Sequence, residues 1–423
     1  MGPITLFDKS FLQSLSVDES VWFDHFFLTN VCPLFYVETM ADLEKSPQKG
    51  RTAEDEVKII ADKFPEMHGM PCAHHTELCT ADLFGRGVPM TGQIPLAGGQ
   101  LVKTDGKSGA VFEPSPEAEA FARWQNREFM EVERLYAKAW RSSLSAFDSK
   151  AVAKEVRMLD IDAACCKTLE DAKRLAEGVV ARRSRPAARM KLALVSLNVP
   201  SGLHSQILER WMNANHPPLV QYAPYAAHVL KVILFYKIAL AANLISNERP
   251  SSRIDIAYLF YLPFCMMFVS SDRLHEKCAS LFMRAEQAFV WGPELKSGLG
   301  ELNDYYSKLP DSERNKGIYS FADDPHAIGT SIVRRLWGEL LPKWGKKEEA
   351  SVADKPAVSP TIEEIKRMSS APPLSPDAVD FNPDNTERFL IKRRVQRMKG
   401  SWYQAPKDIK EEEEQRHKNT FMS

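Results

Sequence analysis

The chain reads as an α/β protein: a parallel sheet flanked by helices, carrying a large, mostly helical insertion and ending in a disordered, charged C-terminal tail. Three observations predict this. Apolar runs at residues 3–7, 31–37 and 265–269 are too short for helices, and the second and third lack the polar alternation of a half-exposed strand, so both of their faces should be covered. Patterns of helical period separate these runs. Beyond Lys346 large apolar residues thin out while Pro, Ser and charge accumulate, a composition that cannot offset its own ordering entropy.

At 423 residues, 44% apolar and 26% charged, the chain has room for two or three domains or for one domain with an insertion. A net charge of −1 provides no global attraction to nucleic acid or to an acidic membrane, so any polyanion site must be a local patch. The seven cysteines are odd in number and scattered, which fits a reducing cytoplasm better than a disulfide framework. MGPITLFDKS has no basic leader and does not read as a signal peptide. The longest apolar stretch, residues 225–245, contains His228, Lys231 and Lys237 at helical spacing and reads as a core helix, with no membrane span expected.

Taken in order, residues 1–45 form the first part of the sheet domain. The run 3–7 ends at Asp8. Ser16 and Glu19 make a capping box, so SVDESVWFDHFFL is a helix that turns Trp22, Phe23, Phe26 and Phe27 to a core. Residues 31–37 are the expected second strand, Glu38 opens the next helix, and Asp42 lies one turn further on the same face. Residues 46–224 are the insertion. LAGGQLVKTDGKSGAVF predicts a hairpin within it. His68, Cys72, His74, His75 and Cys79 supply donors for a tetrahedral zinc ion but lack any Cys-x-x-Cys knuckle, so an irregular loop with incidental histidines is the preferred reading. A single long helix is expected over 116–147, with further helices over 171–180, 187–197 and 202–213. Between two of these, Arg182, Arg183, Arg185, Arg189 and Lys191 cluster without an acid, either as a solvated turn or as a phosphate-contacting patch.

Residues 225–345 hold the second part of the sheet domain, centred on RIDIAYLFYLPFCMMFVSSDRLHEK. This predicts a short helix beginning at Asp255, a buried strand over 265–269, and Asp272 at its carboxyl end, where ligands of open parallel sheets bind. His275, a turn beyond, could orient a phosphate, relay a proton, or simply sit on the helix surface. QAFVWG is a final strand, followed by a helix over 294–309. In the tail, residues 346–423, NTERFLIKRRVQRMKGSWYQ suggests a short basic helix available to a protein partner or to nucleic acid, opposed by the acidic run 411–414.

FDKSFL around Asp8, FYVETMADLEK around Glu38 and DIAYLFYLPFCMMFVSSDRLH around Asp255 and Asp272 resemble the acidic motifs of PIN-domain nucleases. LFDKSFLQSLS, APYAAHVLK and YLPFCMMFVSSDRLH together are similar to a bacterial PIN-like group. The resemblance implies a PIN-like parallel sheet whose separated acids bind Mg²⁺ or Mn²⁺ and hydrolyse phosphodiester bonds, in RNA more readily than in DNA. It assigns Asp8, Glu38, Asp255 and Asp272 to catalysis and metal binding, with Ser10 as the small polar residue after the first acid; Asp42, one turn past Glu38, is expected as an auxiliary metal ligand beside them. It covers the first 45 residues and about 225–292, leaving the stretch of more than two hundred residues between Glu38 and Asp255 outside the family pattern.

The chemistry expected of such acids does not depend on the name. Hard divalent ions take oxygen ligands, so a few converging carboxylates suffice without histidine, while Ser10, His275 and Arg182, Arg183 and Arg185 are the candidate substrate contacts. The alternative is a catalytically silent PIN-like scaffold that binds RNA or a protein partner, its acids serving as helix caps.

Overall fold

The computed structural model describes all residues except 1, 49, 105–106, 147, 160, 183, 248, 250, 327–330, 342–357, 375–387 and 408–423. Three strands open the chain, β1 (Ile4–Phe7), β2 (Leu28–Val31) and β3 (Gly69–Pro71). A hairpin follows, β4 (Gln100–Thr104) and β5 (Lys107–Phe112), and the chain returns to the first sheet as β6 (Met267–Ser270) and β7 (Ala288–Trp291). The main sheet is wholly parallel in the order β3-β2-β1-β6-β7. From β1 the chain winds outward to β3 on one side and, after the insertion, from β6 to β7 on the other. The order therefore reverses between β1 and β6, the place where open sheets of this kind receive ligands.

Covalent neighbours explain where each strand stops. Asp8, Cys32 and Asp272 have extended backbones and cap the helices Lys9–Ser14, Pro33–Met40 and Arg273–Phe282. The expected second strand over 31–37 is mostly helix, because Pro33 occupies the first helical turn, where its fixed φ and missing N–H cost nothing. The strand is instead Leu28–Val31, and Glu38 lies in the second turn of its helix, not at its start. The capping box of Ser16 and Glu19 opens Val17–Phe26, which buries Trp22, Phe23 and Phe26. Phe7 meets Phe23 and Phe35 edge-on, with ring centroids 5.7 and 5.0 Å apart, fastening the flanking helices to the sheet.

The expected helix over 116–147 is two, Pro116–Gln125 and Glu131–Ser145, with Arg127 in the left-handed region at φ 62°. Glu133 holds the corner, accepting from Trp124 Nε1 at 3.0 Å and from the Met130 amide at 2.9 Å while pairing with Arg123 at 2.6 Å. Helix Pro224–Ala241 is long and apolar enough to cross a membrane, yet 72% of its most apolar window is buried inside the protein. Its His228 sits 2.9 Å from the Leu259 carbonyl, and burial pulls that imidazole down to about 4. It is a core helix.

Among the described residues of the tail, three segments are ordered where disorder was expected. Residues 358–370 are helical, and β8 (Arg388–Ile391) adds in parallel to β5, where a short basic helix was expected. A small hairpin then buries Trp402 to 1% exposure against Trp22, at 4.7 Å between centroids. Both indole N–H groups donate to Asn303 Oδ1, at 3.1 and 2.9 Å, so the tail is fixed to two helices of the sheet domain. The acidic run 411–414 lies outside the described residues.

Candidate functional site

Asp8 leaves β1 at its carboxyl end, its amide donating to the Val269 carbonyl of β6 at 3.3 Å. Its Oδ1 caps the following helix through the Phe11 amide at 3.0 Å, and its Oδ2 accepts from Ser10 Oγ at 2.6 Å. Ser10 Oγ in turn accepts from the Ser271 amide at 3.3 Å, so this hydroxyl joins the ends of β1 and β6. Gly292 makes the close approach of β7 possible, since a Cβ there would fall 2.1 Å from Ser271 Oγ.

His275 is not on a helix surface. It is fully buried, with Nε2 2.6 Å from the backbone carbonyl of Asp255 and Nδ1 2.7 Å from Ser270 Oγ and 3.6 Å from Asp8 Oδ2. Because a carbonyl only accepts, Nε2 carries the proton. Burial works against charge on both His275 and Asp8, but each offsets it for the other: the imidazole pKa is raised and the carboxyl pKa lowered. The two shifts favour the ionic form of the pair, and full burial removes His275 from the candidate substrate contacts. What it does is fix the backbone of Asp255 and the carboxylate of Asp8.

Asp255, in helix Ser252–Ala257, is the exceptional acid. It is 8% exposed, and its Oδ2 has no hydrogen-bond partner. Burial, opposed by His275 and reinforced by the charges of Glu38 and Asp272, pushes its pKa up to about 7. Asp272 caps its helix through the Leu274 amide at 2.7 Å. One guanidinium serves both acids: Arg249 Nη2 lies 2.9 Å from Asp272 Oδ2 and 3.7 Å from Asp255 Oδ2. Those two oxygens are thus no further apart than the two contacts laid end to end.

Glu38 comes in from the β2 side. Its Oε2 accepts from the Tyr258 hydroxyl at 2.8 Å, and Tyr258 stands one helical turn after Asp255. Its Oε1 is 3.5 Å from Lys9 Nζ, which also donates to Asp42 Oδ2 at 3.0 Å. Asp42 is 2% exposed and has Arg141 3.3 Å from its other oxygen. Both of its oxygens are therefore taken by protein cations, and Asp42 holds Lys9 in place where it was expected to assist a metal.

The structure thus gathers Asp8, Glu38, Asp255 and Asp272 around His275 and Tyr258 at the carboxyl edge of the sheet. Among the described residues no three His, Cys, Asp or Glu side chains converge closely enough to hold one ion in this arrangement. The donors nevertheless suit a hard divalent cation: all are carboxylate oxygens, and one of them is buried without a hydrogen bond. Lys9, Arg249 and Tyr258 are the members of the site that motif reading missed. Tyr258, at i+3 from Asp255, carried a helical-spacing signal; the two cations carried none.

The other candidates lie elsewhere. His68 bonds the Asp24 carbonyl at 2.6 Å, His74 the Thr76 hydroxyl at 2.7 Å and His75 the Tyr261 hydroxyl at 3.2 Å, while Cys72 and Cys79 are buried; these five residues serve local packing. Arg182 and Arg185 flank a turn between helices Leu169–Ala181 and Pro186–Ser196, and Arg183 lies outside the described residues. With Arg189, Arg182 lines a cavity of about 330 Å³ that also includes Trp211 and His216. Glu170, at the opposite end of the first of these helices, is in electrostatic reach of Cys278 on the Asp272 helix. Arg182 follows the last turn, roughly 18 Å further along at 1.5 Å per residue. None of the hydrogen bonds or ion pairs of Arg182, Arg185 or Arg189 among the described residues reaches Asp8, Glu38, Asp255 or Asp272. No family model matches this chain, and no curated protein or solved structure matches it at the level that would mark a relative.

Proposed function

We propose that the carboxyl edge of this sheet is a divalent-metal-dependent phosphodiester hydrolase site, most suited to RNA, with Asp8, Glu38, Asp255 and Asp272 as its acids. The observation that carries this reading is the buried Asp255 Oδ2, left without a hydrogen bond among three further carboxylates at the switch point of a parallel sheet. Burying a carboxylate oxygen without a hydrogen bond costs free energy and is retained where something else compensates it. Mg²⁺ or Mn²⁺ held by these oxygens would supply a nucleophilic water near neutral pH and neutralise charge on the phosphoryl oxygens. The chain's own contribution is positional. Ser10 and His275 orient Asp8, Tyr258 and Lys9 orient Glu38, and the Leu274 amide orients Asp272.

A strand of RNA would also need cationic contacts, since phosphate neutralisation dominates affinity. Arg182 and Arg185 are the candidate track; both lie within electrostatic reach of Arg189, whose own guanidinium is held by the Val179 carbonyl and by Ser184. The tail is less suited, because Lys392 pairs with Glu113 at 2.6 Å, Arg393 is bound to the Gly69 carbonyl and Arg397 to that of Lys407.

A second reading rests on the same geometry. Lys9 and Arg249 already neutralise parts of the cluster, as in a silent scaffold that binds RNA or a protein partner without cutting. Incubating the full chain with single-stranded RNA and DNA, with Mn²⁺ or with EDTA, separates the two. Cleavage confined to the Mn²⁺ samples is the expected result; retention of RNA without cleavage under any metal would favour the scaffold.

A further inference from the structure

We propose that Arg249 is the resident cation of this site: its guanidinium holds Asp255 and Asp272 in the metal-free protein, and it must withdraw for a divalent ion to enter. The inference rests on the metal-site reading above and adds a competitor built into the chain.

Four observations carry it. The first is position. Arg249 Nη2 reaches both carboxylates, at 2.9 and 3.7 Å, so a single positive group bridges two acids from different parts of the domain. The second is the contrast in exposure. The side chain of Arg249 is 58% exposed, whereas those of Asp255 and Asp272 are 11% and 10%. The cation can leave into water by side-chain rotation, while the acids are anchored by their helices. Among the described residues its further side-chain hydrogen bond is Nε to Ser251 Oγ at 3.2 Å.

The third observation is that the bridge is incomplete. At 3.7 Å the contact with Asp255 is an ion pair but not a hydrogen bond, and Oδ2 remains unsatisfied. A small ion with oxygen ligands at about 2.1 Å would draw the same oxygens together and satisfy both. The fourth follows from size. A planar guanidinium spaces carboxylates more widely than a shared metal ion does, so exchange for a divalent ion would draw Asp255 and Asp272 together. Withdrawal of one positive charge leaves Asp255, Asp272 and Glu38 facing one another, and Glu38 lies within electrostatic reach of both Asp255 and Arg249. That arrangement calls for a divalent cation in place of a monovalent one.

The test is a Mn²⁺ titration of the full-length protein by calorimetry or electron paramagnetic resonance, with wild type, Arg249→Ala, Arg249→Gln and Asp272→Asn. Removing an internal competitor of this exposure should tighten Mn²⁺ binding at least about threefold in both Arg249 variants. The same variants should melt below wild type in EDTA, with the difference closing in saturating Mn²⁺. Asp272→Asn should lose most of the affinity. Unchanged or weaker Mn²⁺ binding in the Arg249 variants, with loss in Asp272→Asn, would overturn the role of Arg249 and leave the metal site standing. Equal binding by wild type and Asp272→Asn would remove the metal site itself, and the competitor with it.

Discussion

Asp8 and His275, from opposite halves of the chain, form a buried ion pair with 3.6 Å between Oδ2 and Nδ1. The insertion lies between them in sequence, so the pair fastens the end of β1 to the helix that follows β6. Its pH dependence follows from the two shifts. A histidine whose pKa rises on folding contributes stability that is complete below its unfolded value and fades as pH climbs through the folded one; an aspartate whose pKa is lowered contributes above its unfolded value and fades in acid. The pair is at full strength between roughly pH 4 and 6.5. His275→Gln should cost about 3–5 kcal/mol near pH 6 by removing one member of a buried pair. Thermal melts across pH should show the deficit shrinking above the folded pKa of His275; a deficit that grows steadily toward pH 9 would contradict the pairing.

Asp255 has the opposite sign. Its folded pKa, about 7, lies above the unfolded value, so its charge becomes a liability as pH rises from about 4 and is a full liability above 7. The groups facing it are His275, Glu38, Asp272 and Arg249. Without added metal, Asp255→Asn should be more stable than wild type at pH 8, by on the order of 2–4 kcal/mol, and indistinguishable at pH 4. Chemical denaturation at the two pH values reads this directly. A variant less stable at pH 8 would show that the carboxylate is better compensated than its contacts indicate.

Lys9 should be energetically inseparable from Asp42. They meet at 3.0 Å with 8% and 2% exposure, and each alone would leave a buried charge. In a double-mutant cycle, Lys9→Met and Asp42→Asn should be markedly sub-additive, with a coupling of at least about 1 kcal/mol. Additive losses would mean that Arg141 already satisfies Asp42.

These contacts also mark what could be read from the residues and what could not. Asp8 and Asp272 were legible because a buried apolar run followed by an acid is a local pattern, and the Ser16 capping box was legible for the same reason. Glu38 reaches the carboxylate cluster from a different element than the one expected: the apolar run 31–37 fits strand or helix by composition, and Pro33 decides it in favour of helix. β3 was missed because Gly69–Pro71 is too short for any periodicity. His275 was misplaced because nothing local distinguishes a histidine facing solvent from one facing a buried carboxylate 267 positions earlier. Lys9 and Arg249 were missed for a related reason, since charge compensation is decided in three dimensions. Trp402 lies in the stretch expected to be available to a protein partner or to nucleic acid, but it packs on Trp22 of the same chain.

Trp402 therefore gives a stability prediction for the tail. Trp402→Ala should cost about 3–5 kcal/mol, as expected for truncating a fully buried indole, and should leave Asn303 with one donor instead of two. Removal of every residue after 387 should lower the melting temperature at least as much. Unchanged melting in both proteins would show that the hairpin at 398–403 is not held to the body.

The most direct test of the carboxylate site is Mn²⁺-dependent cleavage of single-stranded RNA by wild type, Asp8→Asn and Asp272→Asn. Both substitutions keep an oxygen able to cap the helix at Phe11 or Leu274 while removing the charge, and Asp8→Asn also gives up its pairing with His275, so its stability is measured alongside its rate. Each variant, folded by its thermal melt at the assay temperature, should lose at least about a hundredfold in rate, as expected when a charge-stabilising group is removed from such a site. Cleavage at the wild-type rate in both variants would contradict the assignment of this sheet edge as the site of hydrolysis.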